Sequence, residues 1–196
     1  MNNKMKKMLA SVLAGTIASC AAALEIKEDS WSAKYDLEMT QEKVCNISKD
    51  GKMPEGSISF KFGKDSVDLQ KVFNLQKVNY RQDRAVVSCV VVSPSDQIGS
   101  VGLGADWWFT CYVNGEKIGT TEPEGNYFQP YTSDNYIFPV KFRKGENYVS
   151  FYLRPGFTWI FAFRLMPSPE FWPEKYNDKI RIFNKLFPNP APFALQ

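Results

Sequence analysis

"GADWWFTCYVNGEKIG", residues 104–119, places two tryptophans side by side at the start of a predicted β-strand. Successive side chains of a strand point to opposite faces of the sheet, so Trp107 and Trp108 belong to different faces. Trp107 shares its face with the apolar residues at positions 109, 111 and 113, which predicts that it lies in a core. Asn114-Gly115 then predicts a tight hairpin turn, because both residues tolerate a positive φ. The stretch therefore predicts antiparallel strands, with Trp108 facing away from the core.

Short alternating runs recur on both sides of this stretch, with turn residues between them. Alternation of apolar and polar residues with a period of two is typical of half-buried strands. Residues 84–92, RAVVSCVVV, are apolar on both faces, which indicates a central strand covered on each side. Several such strands in succession predict an all-β fold, an antiparallel β-sandwich over residues 56–166. The predicted strands include 57–62, 84–92, 107–113, 138–142, 147–154 and 157–165.

Two further segments flank the predicted sandwich. Residues 24–55 are polar and mixed, with Trp31 and Tyr35 as the expected anchors. Residues 167–196 combine a short predicted C-terminal helix with a Pro-rich tail. Four apolar residues recur there at helical spacing, namely Tyr176, Ile180, Phe183 and Phe187. The helix either docks on its own sandwich or binds a partner.

Residues 1–23 carry the pattern of a secretory signal peptide. Three lysines precede an apolar run too short to span a membrane, and small residues follow it. Ile17-Ala18-Ser19-Cys20 resembles the lipobox of bacterial lipoproteins, in which the cysteine becomes the lipidated N-terminus. Ordinary cleavage within or just after Ala21-Ala22-Ala23 is the alternative. Either route predicts an extracytoplasmic protein, which is periplasmic, at the cell surface or secreted.

The composition excludes several classes of function. Without residues 1–23, 21 basic residues face 21 acidic ones, so no basic footprint for nucleic acid is present. Membrane contact is therefore expected only through a lipid anchor. The sequence has no histidine, which excludes Ser-His-Asp and Cys-His nucleophile pairs and all histidine-ligated metal sites.

Beyond residue 23 the sequence has three cysteines, Cys45, Cys89 and Cys111, an odd number that allows one disulfide at most. One interpretation makes Cys89 and Cys111 small buried hydrophobic residues on strands. The other joins them by a bridge, whose geometry the sequence does not provide.

Residues 65–166 resemble the galactose-binding-like jelly-roll modules that are attached to bacterial glycoside hydrolases and carbohydrate esterases. The resemblance rests on Asp106 with the paired tryptophans, on Asn114-Gly115, on Lys144-Gly145-Glu146-Asn147 and on the aromatic run 157–165. It implies a jelly-roll β-sandwich and a non-catalytic module that binds carbohydrate. Many modules of this family only brace a neighbouring catalytic domain, so a structural role is equally compatible with the resemblance.

Four aromatic residues are the first candidate ligand-binding group: Trp108, Tyr112, Tyr148 and Tyr152. All four lie on the strand face opposite the predicted core, and flat aromatic surfaces suit the apolar faces of sugar rings. The alternative is that residues 24–55 or the C-terminal helix cover this face, since soluble proteins expose few apolar patches.

The loop 122–136 is the second candidate, since loops at one end of a sandwich commonly hold ligands on a rigid scaffold. Its predicted ligand-binding residues are Asn126, Tyr127, Gln129 and Tyr131, whose amides and hydroxyls suit a hydroxyl-rich ligand. The alternative is a solvated connection. Glu122, Glu124 and Asp134 are candidate calcium ligands. Because they lack EF-hand spacing, a solvated charged loop is the preferred interpretation, and no cofactor is expected.

The sequence thus predicts a binding module rather than an enzyme. Carbohydrate is the expected partner, and docking on another protein of the cell envelope is the alternative. A small carbohydrate-active hydrolase is the third hypothesis, since Asp106 and Glu122 are the one pair of acids that could serve glycosidase chemistry. Asp106 is more simply explained as a hydrogen-bonding residue at the start of a strand.

Overall fold

A computed structural model of the chain describes residues 23–122 and 124–166. The signal peptide predicted over residues 1–23, with Cys20, lies outside these ranges except for Ala23, and so do the predicted C-terminal helix and tail. The described strands are β1 (Glu25–Ile26), β2 (Ser32–Tyr35), β3 (Ile58–Ser59), β4 (Ser66–Asp68), β5 (Ala85–Ser93), β6 (Gln97–Ala105), β7 (Trp107–Val113), β8 (Glu116–Thr120), β9 (Tyr136–Phe142), β10 (Gly145–Pro155) and β11 (Ile160–Met166). The described helices are α1 (Gln41–Asp50) and α2 (Leu69–Val72).

These strands form two antiparallel sheets, which confirms the predicted all-β sandwich. The seven-stranded sheet has the order β3-β2-β5-β10-β7-β8, and β1 also pairs with β5. The four-stranded sheet has the order β4-β11-β6-β9. Strand β5 pairs with β10 over its whole length, and β10 pairs in turn with β7. Strand β5 is therefore central, as its two apolar faces predicted.

The hydrophobic core lies between the two sheets. Every second residue of the central strands enters it, including Val87, Cys89 and Val91 of β5 and Phe109, Cys111 and Val113 of β7. The Phe151 ring of β10 meets the Phe161 ring of the opposite sheet with 4.7 Å between the centroids. Each fully buried large side chain contributes about 1.5–3 kcal/mol, so this layer is the main source of stability.

The Asn114-Gly115 hairpin forms as predicted, and the cysteines are free, as the first of the two interpretations had it. Asn114 and Gly115 join β7 to β8 with φ values of 51° and 87°, the positive values that this turn requires. Cys89 and Cys111 are buried in the core and unbridged, and Cys45 is a free, half-buried thiol. Burial raises the pKa of both core thiols, so they remain protonated and unreactive.

The N-terminal segment 24–55 is part of the sandwich rather than an appendage to it. Strands β1 and β2 pair with β5 and extend the larger sheet. Trp31 is buried between the sheets, where its ring stacks on Phe62 with 4.3 Å between the centroids. Because this pairing joins residues fifty or more positions apart, the local sequence pattern does not predict it.

Helix α1 covers the outer face of the seven-stranded sheet. It begins after Thr40, whose side-chain oxygen accepts a hydrogen bond from the Lys43 backbone N–H, and it ends at Gly51 with a φ of 73°. Val44 and Ile47 lie three residues apart on one side of the helix and are buried against the sheet. Neither described helix is long and apolar enough to cross a membrane.

Candidate functional site

The predicted aromatic surface on the seven-stranded sheet is closed by helix α1, as one of the two sequence interpretations had it. Tyr112 and Tyr152 are only 6% and 7% exposed, and both pack against Val44 and Ile47. The Tyr112 hydroxyl donates a hydrogen bond to the Gln41 side chain of the helix at 3.2 Å. The expectation that these two rings contact a ligand is therefore corrected, because the helix occupies the space above them.

The other two rings of that group lie apart from each other. The Tyr148 ring packs on Gly51 at the end of α1, and its hydroxyl donates to the Glu146 carboxylate at 3.3 Å. Trp108 is half-buried, and the Arg154 guanidinium stacks over its ring at 4.5 Å from the centroid. The four predicted residues thus do not form one open aromatic surface.

The two ends of the sandwich differ in what they expose. We define the turn end as residues 93–96, 114–115 and 143–147. The loop end comprises residues 106–108, the described part of 122–136 and residues 156–159. Strand β7 runs from the loop end, where it starts, to the turn end, where its hairpin begins.

Two of the motifs that carry the resemblance, Asn114-Gly115 and Lys144-Gly145-Glu146-Asn147, meet at the turn end. Asn147 is fully buried and its side chain makes five hydrogen bonds. Its amide nitrogen donates to the backbone oxygens of Val91, Arg143 and Gly145, and its amide oxygen accepts from the Asn114 side chain and from the Arg143 N–H. The Asn-Gly and Lys-Gly-Glu-Asn turns are therefore held by each other, and these residues serve the fold.

Asp106 organises the loop end. It is buried, and its carboxylate accepts hydrogen bonds from the backbone N–H and the hydroxyl of Thr158. Its backbone oxygen accepts from the Gly156 N–H at 2.8 Å. Phe157 stands between these two anchored residues. The carboxylate predicted as a hydrogen-bonding residue at a strand start therefore fixes a turn that presents an aromatic ring.

Tyr131 lies on the other side of the same carboxylate. Burial, followed by the hydrogen bond and the charge of Asp106, raises the pKa of the Tyr131 hydroxyl. The Gln129 side chain donates to this hydroxyl at 3.1 Å. Asp106 Oδ1 is fully buried and has no hydrogen-bond partner of normal geometry. The carboxylate thus holds the turn that carries Phe157 and acts electrostatically on the loop that carries Gln129 and Tyr131.

Asn126, predicted to bind a ligand, has a structural role instead. It is fully buried, its side-chain nitrogen donates to the Ala105 backbone oxygen at 2.7 Å, and its oxygen accepts from the Phe128 N–H at 2.9 Å. Asn135, which the sequence reasoning did not single out, fixes the loop in the same way by accepting from the Thr132 N–H at 3.0 Å. The loop is therefore an ordered scaffold rather than a solvated connection.

The side chains that the loop end does expose are aromatic and polar. Tyr127 is 68% exposed, Gln129 is exposed, and Phe157 is 94% exposed. The alternating pattern placed Phe157 in line with the core residues of the last strand. That expectation is wrong, since β11 begins at Ile160 and Phe157 belongs to the preceding turn. The Pro155-Gly156 pair is the turn signal that could have revealed it.

Trp107 is also placed differently from the expectation. It is half-buried rather than part of the core, and its indole packs on Gly125 of the loop. Gly125 has a φ of 87°, and a side-chain carbon there would fall 2.0 Å from the indole nitrogen. The ring edge of Trp107 meets Trp108 with 6.2 Å between the centroids. Trp107 thus packs against the loop, whereas Trp108 packs against the Arg154 side chain.

The carboxylates considered as calcium ligands contact arginines. Glu122 forms an ion pair with Arg154 at 3.1 Å, and Asp134 forms one with Arg164. Glu124 is exposed. Within residues 23–122 and 124–166, no group of three or more acidic or cysteine side chains is placed to hold a metal ion.

A groove of about 640 Å³ lies at the turn end, close to the edges of the two sheets formed by β8 and β9. Ile98, Ile118 and Phe142 provide apolar walls, and Lys141 and Arg143 add positive charge. Ile98 is 43% exposed there. The groove is open and of mixed character, and the side chains predicted to bind a ligand all lie elsewhere.

No protein-family model and no curated protein matches the sequence. Two solved structures share part of its backbone arrangement. The crystal structure of the beta-glucosidase from Kluyveromyces marxianus matches with a TM-score of 0.47 and 14% identity, over 80% of this chain and 18% of that enzyme chain. The GH31 alpha-xylosidase from Xanthomonas citri matches with a TM-score of 0.32 and 11% identity, over 85% of this chain and 20% of the other. The chain thus spans about a fifth of these enzyme chains, and similarity at this level says nothing of ligand or activity.

Proposed function

We propose that the protein is a non-catalytic binding module whose loop end holds a carbohydrate. The observation that carries the proposal is the 94% exposed ring of Phe157, held between two residues that are anchored to the buried Asp106. An apolar ring kept in water on a fixed turn costs free energy unless it meets a partner. A sugar ring, with an apolar face and a polar rim, has the matching shape and chemistry.

Side chains of the loop 122–136, at the same end of the sandwich, support the same proposal. The Gln129 side chain uses its nitrogen to donate to Tyr131, which leaves its exposed oxygen as an acceptor for a hydroxyl group. Tyr127 adds a second exposed ring on the same loop. The amides of Asn126 and Asn135 fix this loop, so binding would require little ordering of the backbone.

The position of the acids favours binding over hydrolysis. Glycosidase chemistry places two carboxyl groups on either side of the bond to be cleaved. Asp106 is buried and bonded to Thr158, and Glu122 is held by Arg154. Both acids of the one candidate pair are thus engaged in structural contacts.

Affinity electrophoresis of the mature chain in gels that contain single polysaccharides tests the proposal. We expect at least one polysaccharide to retard the chain and Phe157→Ala to lose that retardation. Tyr80→Ala is the matched control, because Tyr80 is a 44% exposed ring outside the loop end. A wild-type chain that no polysaccharide of a broad panel retards, confirmed on a glycan array, would contradict the proposal.

A second candidate function is docking on another protein of the cell envelope. The open groove at the turn end, with the exposed Ile98 beside charged residues, is the observation that favours it. Cross-linking in envelope fractions tests it, with Ile98→Asp as the variant. Loss of a specific cross-linked product in that variant, with Tyr80→Ala unchanged, is the result expected for docking.

We further propose that the chain acts outside the cytoplasm. The proposal rests on the signal-peptide pattern of residues 1–23 and on the lipobox-like sequence that ends at Cys20. Mass spectrometry of the mature N-terminus distinguishes a lipidated Cys20 from cleavage near Ala23. An N-terminus that retains Met1 would overturn it.

A further inference from the structure

We infer that the loop end selects a neutral sugar ring and rejects uronic acids and sulfated sugars. This inference rests on the proposed carbohydrate-binding function and adds the class of sugar. It follows from the charged residues of the segments that form the loop end, all of which are acidic.

The segments that form the loop end contain acids and no basic residue. Residues 106–108, 122–136 and 156–159 include Asp106, Glu122, Glu124 and Asp134, and neither lysine nor arginine occurs in them. Recognition of an anionic sugar generally relies on an arginine or lysine that faces its carboxylate or sulfate. The exposed residues described here are instead two aromatic rings, the Gln129 amide, Pro130, two threonines and one acid, Glu124.

The arginines beside the loop end are already neutralised. Arg154 donates to both oxygens of the Glu122 carboxylate, at 3.2 and 3.1 Å, and both side chains are largely shielded from solvent. Arg164 is paired with Asp134 in the same way. An anionic sugar would have to compete with a carboxylate that already holds each guanidinium.

The neighbouring loop at residues 79–84 supplies two more arginines, and groups of the same loop accept some of their hydrogen bonds. The Arg84 guanidinium donates to the backbone oxygens of Asp83 and Arg81 at 2.8 and 3.1 Å. The Arg81 side chain donates to the Tyr80 hydroxyl at 3.0 Å and lies over its ring. Among the described residues, the exposed charge within the loop end itself is that of Glu124, which would repel a bound anion.

Matched pairs of polymers, differing mainly in charge, test the inference in affinity gels. The pairs are dextran with dextran sulfate, hydroxyethylcellulose with carboxymethylcellulose, and galactan with polygalacturonate. We expect retardation by a neutral member that Phe157→Ala reduces at least tenfold, and at least tenfold weaker retardation by its anionic counterpart. Glu124→Lys should strengthen binding to the anionic counterpart, whereas Glu116→Lys, which changes an exposed glutamate at the start of β8, should not.

The possible failures are distinguishable. Retardation by anionic polymers alone, abolished by Phe157→Ala, would keep the proposed function and overturn the selection for neutral sugars. An equal response to both members of a pair, with the same dependence on Phe157, would overturn it as well. A chain that no polymer retards would overturn both the function and the selectivity.

Discussion

Each end of the sandwich is fixed by a buried polar side chain, but the two ends differ in what they present to solvent. At the turn end, the side chains of Asn147 and Asn114 form hydrogen bonds with each other and with the backbone. At the loop end, the buried Asp106 holds a turn from which Phe157 points into solvent. The comparison teaches that two of the motifs which carry the resemblance, the Asn-Gly and Lys-Gly-Glu-Asn turns, stabilise the fold, whereas the proposed ligand contacts come from the loop end.

The largest expected effect is the loss of stability caused by removing the Asn147 side chain from the turn end. Asn147→Ala removes five hydrogen bonds and leaves buried backbone groups unpaired, so the free energy of unfolding should fall by about 4 kcal/mol. Urea denaturation measures the change. The matched control is Glu146→Ala, whose exposed ion pair with Lys27 should contribute little to stability because solvent screens it. Equal midpoints for Asn147→Ala and the wild type would show that the amide does not hold the two turns.

Two glycine-to-alanine substitutions, one at each end of the sandwich, compare the two ends directly. Gly125 and Gly145 both have a positive φ, 87° and 93°, so alanine adds backbone strain of about 1–2 kcal/mol at either position. At Gly125 the new carbon also collides with the Trp107 indole, whereas at Gly145 it meets nothing within 4 Å. We expect Gly125→Ala to destabilise by about 3 kcal/mol and Gly145→Ala by about 1 kcal/mol, as measured by thermal and urea unfolding. A reversed order would contradict the packing described for Trp107.

A smaller loss of stability with a large loss of binding is expected for Asp106→Ala. The Thr158 N–H and hydroxyl lose their acceptor, which should cost about 2 kcal/mol. Because the Phe157 turn would then be unanchored, retardation by a neutral polysaccharide should disappear. Asp106→Asn keeps one acceptor oxygen and should retain part of the binding. Full binding by Asp106→Ala would mean that the turn holds its shape without the carboxylate.

The smallest expected effect is a dependence of stability on alkaline pH through Tyr35, whose ring packs on Trp159 of the loop end. Burial, then the hydrogen bond to Asp83 and its charge, raise the pKa of Tyr35 from 10.0 to about 12. The unfolded chain ionises first, so this contribution is complete below pH 10 and is lost as the pH rises from 10 to about 12. Urea midpoints measured across this range should fall less steeply for Tyr35→Phe. Tyr127→Phe, which changes a 68% exposed ring, should leave the slope as it is in the wild type.

The strand pattern and the hairpin could be predicted from the sequence because both depend on local chemistry. Alternation assigned Phe109, Cys111 and Val113 to the core face, and Asn114-Gly115 accommodated the positive φ of the turn. The two apolar faces of residues 85–92 correctly indicated a strand covered on each side, by the second sheet and by α1.

The covering of Tyr112 and Tyr152 could not be decided from the sequence. Period two assigns a residue to a face but does not say what lies above that face. Residues 41–50 include few apolar side chains, of which Val44 and Ile47 are buried, so the helix has a weak pattern of its own. Its position depends on contacts with strands far along the chain.

Phe157 was misplaced for the opposite reason, since a regular pattern continued beyond the strand that produced it. Residues 157, 159, 161 and 163 alternate perfectly, but Trp159, Phe161 and Phe163 are buried while Phe157 is not. The carboxylate of Asp106, some fifty positions earlier, holds Thr158 in the turn. A contact between distant residues thus determined where the strand begins.

Helix α1 makes β5 the middle of three layers, with apolar side chains packed on both of its faces. The backbone of β5 is paired on both edges, with β10 on one edge and with β1 and β2 on the other. In native-state hydrogen–deuterium exchange these amides should open only when the whole molecule unfolds. Amides of residues 127–134, by contrast, should exchange through local fluctuations and become slower when a sugar is bound.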